Sequence, residues 1–305
     1  MSKVVVIGSI NMDLVVRVEE IPKPGETVMG KNLMRIPGGK GANQAAAMAK
    51  LGVETVFLGK VGEDGFGAEL KSSMLNAGIE ISKIETEKGP SGIAIINVDN
   101  QGNNNIVVIS GANGLMDTSY LKNNAAQFEA DIFVFQLEIP LETVRMGLKM
   151  AKQNEKLTVL NPAPATKLDD EIISLVDILI PNEHELQRLT DVKIDDEKSI
   201  KRACNILLKK GVKNLIVTLG KNGVYYTDGK VQKFFKAYEV DAVDTTAAGD
   251  SFIGGFVAAL SEQKDIETAI DYGQICAALT VQREGAQISL PSLDEFKAFK
   301  KERLK

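Results

Sequence analysis

Residues 243–252 place a carboxylate directly after a run of very small side chains. The segment reads Val-Asp-Thr-Thr-Ala-Ala-Gly-Asp-Ser-Phe, and the apolar residues after it predict a helix over residues 251–260. The first N–H groups of a helix have no internal partner and attract anions. Ala247, Ala248 and Gly249 leave room for a phosphate, and Asp250 could accept a proton from an alcohol. The pattern therefore suits phosphoryl transfer to a hydroxyl, although it also fits an ordinary capped helix start.

A second glycine-dense loop covers residues 37–45 and opens another predicted helix. Its glycines, Gly38, Gly39 and Gly41, allow the backbone to approach a ligand closely. Lys40 offers a positive charge, and Asn43 offers an amide that can both donate to and accept from hydroxyls. The loop is not a phosphate-binding Walker A sequence, because Lys40 is followed by glycine. The alternative is a flexible entry to a helix.

Polar or glycine-rich segments follow the predicted strands, where parallel sheets bind their ligands. These segments are residues 8–13, 136–138, 161–164, 181–185 and 218–223. Asn11 and Asp13 are two residues apart and project to one side of an extended chain. With Asn43 and Glu138 they predict a pocket for a polyol, since sugars need several amide and carboxylate partners. For Asn11 and Asp13 a simple turn at the strand end is the alternative.

Two further segments have both a functional and a purely structural interpretation. Asn182 and Glu185 have the spacing of a helix capping box, but Asn182 could also reach a phosphate and Glu185 could orient water on a divalent metal. Residues 218–223 leave a strand through two glycines and could support a nucleotide on backbone atoms. A turn into a strand over residues 224–227 is the alternative, and for that segment taken alone it is the better explanation.

Composition excludes several classes of protein. The 305 residues carry a net charge of −5 and a pI near 5.3, which argues against a nucleic-acid or membrane-surface protein. Cys204 and Cys276 lie in helix-like stretches without metal-site spacing, so no zinc site is expected. His184 is the single histidine. Because no apolar run is long enough to span a bilayer and no signal peptide is evident, we predict a cytoplasmic protein.

Alternating strand and helix patterns predict one α/β domain over residues 1–305. Buried strands are expected at residues 4–7, 55–58, 132–135, 158–160, 178–180 and 215–219, with helices at 42–51, 141–153, 185–189 and 199–208. Such alternation is typical of a largely parallel sheet with helices on both faces. The β-rich stretches around residues 12–36 and 92–110 interrupt this pattern. They predict a small antiparallel sheet that covers the main sheet as a lid, and the alternative is two unrelated surface hairpins.

The whole chain resembles the ribokinase-like family of carbohydrate and nucleoside kinases. Residues 38–45 and 244–250 are similar to that family's two signatures, and residues 8–13, 161–165, 181–183, 218–220 and 283–287 match further segments. Ala247 and Ala248 together resemble the ribose-phosphorylating branch, because the wider family usually has glycine first. The resemblance implies ATP-dependent phosphorylation of D-ribose at O5. It leaves two alternatives open, a related sugar or nucleoside kinase and a non-catalytic binding protein.

The same resemblance implies a role for each matching residue. Asp250 would be the general base, and the N–H groups of Ala247, Ala248 and Gly249 would hold the transferred phosphoryl group. The ribose residues would be Asn11, Asp13, Gly39, Lys40, Gly41, Asn43 and Glu138, with Asp250. The ATP residues would be Asn182, Thr218, Gly220, Gly223 and Gly249, with Gln274 near the adenine, where the family often carries His or Asn.

Metal ions and a partner subunit are implied in the same way. Glu185 would act on Mg²⁺ through water. A K⁺ ion beside the anion hole would be held, partly through backbone carbonyls, by Asp244, Thr246, Thr280, Arg283, Gly285 and Ser289. The lid of this family commonly pairs with a second copy, so a homodimer is expected. ATP and D-ribose are the expected small-molecule partners, with no nucleic acid and no membrane.

Overall fold

A computed structural model describes residues 1–303 and contains two β-sheets flanked by helices. The strands of the described chain are β1 (Val4–Ile7), β2 (Asn11–Arg17), β3 (Asn32–Gly38), β4 (Thr55–Gly62), β5 (Ile84–Glu87), β6 (Gly92–Val98), β7 (Asn104–Ile109), β8 (Ile132–Phe135), β9 (Leu157–Leu160), β10 (Ile178–Leu179), β11 (Asn214–Thr218), β12 (Val224–Thr227) and β13 (Gln232–Phe235).

Ten α-helices occur within the same residues. They are α1 (Lys40–Lys50), α2 (Gly65–Asn76), α3 (Thr118–Asn123), α4 (Leu141–Gln153), α5 (Asp170–Ser174), α6 (Glu183–Thr190), α7 (Glu197–Lys209), α8 (Ala248–Ser261), α9 (Ile266–Thr280) and α10 (Leu293–Arg303). Across residues 1–303, every helix is too short or too polar to cross a membrane.

The large sheet has the strand order β13-β12-β11-β10-β9-β8-β1-β4-β5. The seven neighbouring strands β11, β10, β9, β8, β1, β4 and β5 pair in parallel. Strands β12 and β13 extend the sheet beyond β11 with antiparallel pairing. In β1, Val4 and Val6 pack into the core that contains α1, α8 and α9, whereas Val5 and Ile7 pack into the core that contains α4 and α7. Both faces of the sheet are therefore covered, which confirms the predicted fold class.

The small sheet is separate from the large sheet and has the order β3-β2-β6-β7. The β2–β3 and β6–β7 pairs are antiparallel, as expected for the small sheet. The central β2–β6 pair is parallel, so the sheet is mixed rather than wholly antiparallel. This detail was not predictable, because β2 and β6 come from distant segments and their direction depends on how those segments meet.

Helix α8 begins three residues before the predicted position. Ala247 adopts a left-handed backbone conformation with φ of 59°, and the helix starts at Ala248. Ala248 and Gly249, which precede the predicted helix, thus belong to its first turn. This helix is apolar on all sides and almost completely buried, because it is enclosed by neighbouring helices rather than facing solvent.

Close packing between α1 and α8 depends on Gly254. A Cβ atom there would overlap the Cβ of Ala47. We therefore expect Gly254→Ala to destabilise the protein by about 1–3 kcal/mol through overpacking, although alanine is the better helix former by about 1 kcal/mol. Urea unfolding measures the change. The control is Gly65→Ala in α2, where the added methyl group meets open space and should be neutral or stabilising. Equal stability of the two variants would contradict this packing account.

Candidate active site

Two clefts meet at the N-terminus of α8. The first, of about 560 Å³, lies beneath the small sheet and is lined by Asp13, Lys40, Glu138 and Asp250 among others. The second, of about 610 Å³, lies beside the ends of β10 and β11 and includes Gly249 in its wall. Asp250 and Gly249 are consecutive residues, so each cleft contacts the same helical turn. This geometry lets ligands in the two clefts approach each other end to end.

The first turn of α8 offers unpaired backbone donors. Ala248 N–H donates to the Thr245 carbonyl at 3.2 Å. Within residues 1–303, the N–H groups of Ala247, Gly249 and Asp250 have no hydrogen-bond partner. Unpaired N–H groups at a helix start attract anions. Of the three predicted anion-binding N–H groups, those of Ala247 and Gly249 are therefore free in the described chain, and that of Ala248 is bonded to Thr245. The Asp250 N–H is a further free donor that was not predicted.

Asp250 is a buried carboxylate held by two side-chain amides. Its Oδ2 accepts from Asn43 Nδ2 at 3.1 Å, and its Oδ1 accepts from Gln44 Nε2 at 2.9 Å. Burial raises the pKa of Asp250, while the Lys40 ammonium and the two amides oppose that rise. A carboxylate with a raised pKa that lines the cleft is chemically suited to accept a proton from a hydroxyl.

Lys40 supplies positive charge among several acids. Burial alone would lower the pKa of its ammonium, but the nearby carboxylates of Asp250 and Glu138 outweigh burial and raise it. Lys40 therefore stays protonated. Burial also raises the pKa of Asp13 to about 7, with Glu138 and Asp250 adding to the rise and Lys40 opposing it. The net charge of this cleft therefore changes with pH near neutrality, as Asp13 gains or loses its proton.

Glu138 joins three segments at the floor of the first cleft. Its Oε2 accepts from Ser9 Oγ at 2.5 Å, from the Lys40 backbone N–H at 3.1 Å and from Asn11 Nδ2 at 3.5 Å. Asn113 Nδ2 donates to Asn11 Oδ1 at 2.8 Å and so fixes the other end of the Asn11 amide. These contacts orient Asn11 toward the cleft, on the same face of β2 as Asp13.

The first cleft contains nearly all of the predicted sugar residues. They are Asn11, Asp13, Gly39, Lys40, Asn43, Glu138 and Asp250. Gly41 is packed against the backbone of Gly8 and Ser9, where a Cβ would collide. Gly39 has φ of 91° and lies against the Asn11 backbone. The glycines of this loop therefore permit close packing within the protein, rather than only the approach of a ligand.

All of the predicted nucleotide residues line the second cleft. They are Asn182, Thr218, Gly220, Gly223, Gly249 and Gln274. A Cβ at Gly223 would collide with the Phe235 carbonyl, so that glycine is required by the neighbouring strand β13. Gln274 Nε2 donates to the Lys236 carbonyl at 2.9 Å, which leaves its Oε1 for other contacts. The predicted strand over residues 224–227 is present as β12.

Asn182 and Glu185 form the capping box that their spacing allowed. Asn182 Oδ1 accepts from the Glu185 N–H at 2.8 Å, and Glu185 Oε2 accepts from the Asn182 N–H at 2.9 Å. Burial raises the pKa of Glu185, with the Asn182 N–H and Lys40 opposing the rise. The structural interpretation is therefore confirmed, and Oε1 of Glu185 is outside the capping pair. A role with a metal stays a prediction.

The predicted K⁺ residues come from two adjoining segments. Asp244 Oδ1 accepts from the backbone and hydroxyl of Thr246, and Asp244 Oδ2 accepts from the Gly285 N–H at 2.9 Å. Thr280 donates its hydroxyl proton to Ser251 Oγ, and Ser289 donates to the Ala286 carbonyl.

The Arg283 guanidinium takes no part in this group, because it pairs with Glu295 at 2.5 Å. The backbone carbonyl of Arg283 is therefore the part of this residue that could bind a cation. No cluster of three or more His, Cys, Asp or Glu side chains suited to a metal ion occurs within residues 1–303. Any cation here would depend mainly on carbonyl and hydroxyl oxygens.

Sequence reasoning missed two residues that orient the site. Gln44 belongs to the glycine-rich loop but received no role, and Asn113 was not considered at all. Both are fully or almost fully buried amides, at 0% and 1% exposure. Buried amides require partners, so a polar residue inside the predicted apolar helix at Gln44 was an available signal. The sequence offered no comparable signal for Asn113, because about 100 residues of chain separate it from its partner Asn11.

Comparison with known proteins identifies the class to which this architecture belongs. The model of the pfkB family carbohydrate kinases matches residues 1–293, and the chain belongs to this family. It is 42% identical over 292 residues to a ribokinase of Haemophilus influenzae, covering 95% of each chain.

Solved structures give the same result. A ribokinase structure from Thermotoga maritima superposes with a TM-score of 0.90 at 38% identity and covers 99% of this chain and 100% of that one. The structure of Arabidopsis thaliana ribokinase complexed with ribose and ATP has a TM-score of 0.90 at 32% identity, with 98% of each chain covered. The fold expected from the resemblance is thus confirmed.

The raised pKa of Asp13 predicts pH-dependent stability. The fold disfavours the ionised carboxylate, so folded protein binds more protons than unfolded protein between pH 3.8 and about 7, and stability falls as pH rises through this window. Asp13→Asn removes this penalty. We expect its stability advantage over the parent, in the absence of ligand, to grow by about 1–3 kcal/mol between pH 4 and pH 8.

Thermal and urea unfolding of the two proteins at several pH values measure this difference. The matched control is Asp294→Asn at the exposed start of α10, outside the cleft. A gain of the same size in this variant would show that the effect is not specific to Asp13. An Asp13→Asn advantage that shrinks with rising pH would show that the assigned pKa is wrong.

Proposed function

We propose that this protein phosphorylates D-ribose at O5 with ATP, giving D-ribose 5-phosphate and ADP. The observation that carries the proposal is the position of Asp250, a buried carboxylate in the wall of one cleft, directly after Gly249 in the wall of the other. The ribokinase relatives add support, because they align over nearly the whole chain. ATP as a substrate would also agree with the predicted cytoplasmic location.

The chemistry of the first cleft favours a polyol. Asn43 Oδ1 is buried and, among residues 1–303, has no hydrogen-bond partner, whereas Asn43 Nδ2 is engaged by Asp250. A buried acceptor without a partner costs about 1–3 kcal/mol, and a sugar hydroxyl would satisfy it. Asp13 and Glu138 offer further acceptors, while Lys40 offers a donor.

The second cleft suits a nucleotide. Its wall combines backbone at Gly220 and Gly249 with apolar side chains such as Phe252 and Val281. Mg²⁺ bound with ATP would offset phosphate charge during transfer. Glu185 fits a water-mediated contact to such an ion, because its Oε1 lies outside the capping box and carboxylate oxygens suit this hard cation.

A monovalent cation has a suitable oxygen-rich site beside α8. The Asp244–Gly285 hydrogen bond brings residues 244–246 next to the loop after α9. We propose that Asp244, Thr246, Thr280, Arg283, Gly285 and Ser289 surround K⁺ there, partly through backbone carbonyls. A cation at this position would strengthen the positive potential at the start of α8.

The reaction is an in-line transfer between the ligands bound in the two clefts. Ribose O5 attacks the terminal phosphorus of ATP, its proton passes to Asp250, the bond from that phosphorus to the bridging oxygen breaks, and ADP leaves. The N–H groups of Ala247, Gly249 and Asp250 hold the transferred phosphoryl oxygens. Lys40 stabilises the negative charge that spreads over them. The small sheet covers the sugar and reduces access of water.

Replacement of the base tests this mechanism. We expect Asp250→Asn to lower kcat by about 10²- to 10⁴-fold, the usual contribution of a positioned general base, and to retain most of the ribose affinity. Coupled ADP-release kinetics and calorimetry provide the two readouts. Turnover within a few fold of the parent would contradict the role of Asp250.

A screen of acceptors tests the substrate. ADP release is compared for D-ribose, 2-deoxyribose, fructose and a nucleoside at equal concentration, and product mass identifies the phosphorylated compound. We expect the highest kcat/KM with D-ribose. A preference for another acceptor would identify a related kinase of the same fold, and the absence of any phosphorylated product would favour a non-catalytic binding protein.

The exposed edge of the lid supports the predicted homodimer. Strand β7 is the end strand of the small sheet, and Ile106, Val107, Val108 and Ile109 are each at least 45% exposed. Ile106 and Val108 line the first cleft, whereas Val107 lies on the opposite face. An apolar edge strand with unpaired backbone groups tends to pair with another chain, and a second copy would cover it.

We expect Val107→Glu to shift the protein from dimer to monomer, because a buried unpaired charge opposes association. Sedimentation over a range of protein concentrations measures the change. Val231→Glu, at an exposed position before β13, is the control and should leave association unchanged. A parent protein that remains monomeric at high concentration would contradict the proposed dimer.

A further inference from the structure

A chain of buried amides lies behind Asp250 and has no place in the mechanism above. Gln44 Nε2 donates to Asp250 Oδ1 at 2.9 Å and to Asn161 Oδ1 at 3.3 Å. Gln44 Oε1 accepts from Gln136 Nε2 at 2.6 Å, and Asn161 Nδ2 donates to the Ile180 carbonyl at 3.0 Å. Gln44 and Gln136 are both completely buried. The chain thus connects the ends of β8, β9 and β10 to the first turn of α8.

The amide of Gln44 can have only one orientation in this arrangement. Asn161 Nδ2 donates to the Ile180 carbonyl, so Asn161 Oδ1 faces Gln44 and requires its nitrogen. The Gln44 nitrogen therefore also faces Asp250, and its oxygen accepts from Gln136. The hydrogen bond to Asp250 therefore always comes from a fixed N–H group. A fixed donor to a carboxylate restricts the rotation of that carboxylate and stabilises its ionised form.

The two oxygens of Asp250 consequently have different surroundings. Oδ1 is bound by Gln44, which is completely buried. Oδ2 is bound by Asn43, which shares the wall of the first cleft with Asp250. An ionised carboxylate oxygen can accept more than one hydrogen bond, so Oδ2 retains capacity on the cleft side.

We propose that Gln44, held by Gln136 and Asn161, is a positioning residue that fixes Asp250 Oδ1 and leaves Oδ2 to take the proton from the sugar hydroxyl. This inference rests on the proposed function and extends it to a single oxygen atom. It also gives a role to Gln136 and Asn161, which follow strands at the ligand-binding edge of the sheet. The charged groups that influence Asp250 are Lys40, Asp13, Glu138 and Glu185, and they remain unchanged in the tests below.

The first test replaces Gln44 by methionine, which has similar size and no N–H donor. We expect kcat to fall about 10- to 100-fold, with ribose KM changed less than about threefold. The acidic limb of the pH–kcat profile should move up by about one pH unit, because the donor that lowers the pKa of Asp250 is lost. A merely structural role would lower kcat without moving the profile, and that result would overturn the proposal.

Two further variants complete this comparison. Gln136→Met leaves Gln44 in place but removes the donor to its oxygen, so it should shift the profile in the same direction by a smaller amount. Gln187→Met, at an exposed position in α6, is the matched control and should behave as the parent. If Gln44→Met does not fold, as judged by thermal unfolding, Gln136→Met decides the outcome, and an unmoved profile would contradict the proposal.

Two measurements do not depend on turnover. A ¹³C NMR titration of the Asp250 carboxyl carbon in ligand-free protein should give a higher pKa in the variants than in the parent. A crystal structure of the parent with D-ribose should place O5 within about 3 Å of Oδ2, with Oδ1 still on Gln44. An unchanged pKa, or O5 on Oδ1, would overturn the proposal. If the parent instead releases no ADP with ribose, the proposed function fails, while the titration still tests the link between Gln44 and Asp250.

Discussion

A carboxylate that is buried at a helix start loses its hydration and needs other groups to stabilise its charge. The arrangement of the site depends on the groups that stabilise Asp250 in this way. Isolated charges are strongly disfavoured in a protein interior unless they are paired and hydrogen-bonded. Here the compensation comes from the Lys40 ammonium and from two amide donors, Asn43 and Gln44, on a single helix. The ion and its partners therefore depend on how α1 packs against α8.

That packing follows from small residues in both helices. Ala47 meets Gly254, and any larger residue would separate α1 from α8, the helix that carries Asp250. The parallel sheet adds the second constraint, because the ends of β1, β8, β9 and β10 bring polar residues to one edge. Rigid elements thus hold the polar groups in place, while the lid above the first cleft is built from a separate small sheet.

Much of this arrangement was predictable from local patterns. Continuous apolar strands such as residues 4–7 indicated a sheet covered on both faces, and the small residues before Asp250 indicated that a helix begins there. The exact start of α8 was not predictable, because it depends on the left-handed backbone of Ala247. The contact between Gln44 and Asp250 spans 206 positions, and the direction of the β2–β6 pair likewise depends on tertiary packing, so no local pattern predicted either.

The central claim is that the first turn of α8 holds the phosphoryl group during transfer. A crystal structure with ADP, D-ribose and an aluminium fluoride that imitates the transferred group tests it most directly. The account predicts fluorine atoms within hydrogen-bond distance of the Ala247, Gly249 and Asp250 N–H groups, with ribose O5 and the terminal ADP oxygen on opposite sides of the aluminium. Fluoride bound away from that turn, with O5 remote from Asp250, would contradict it.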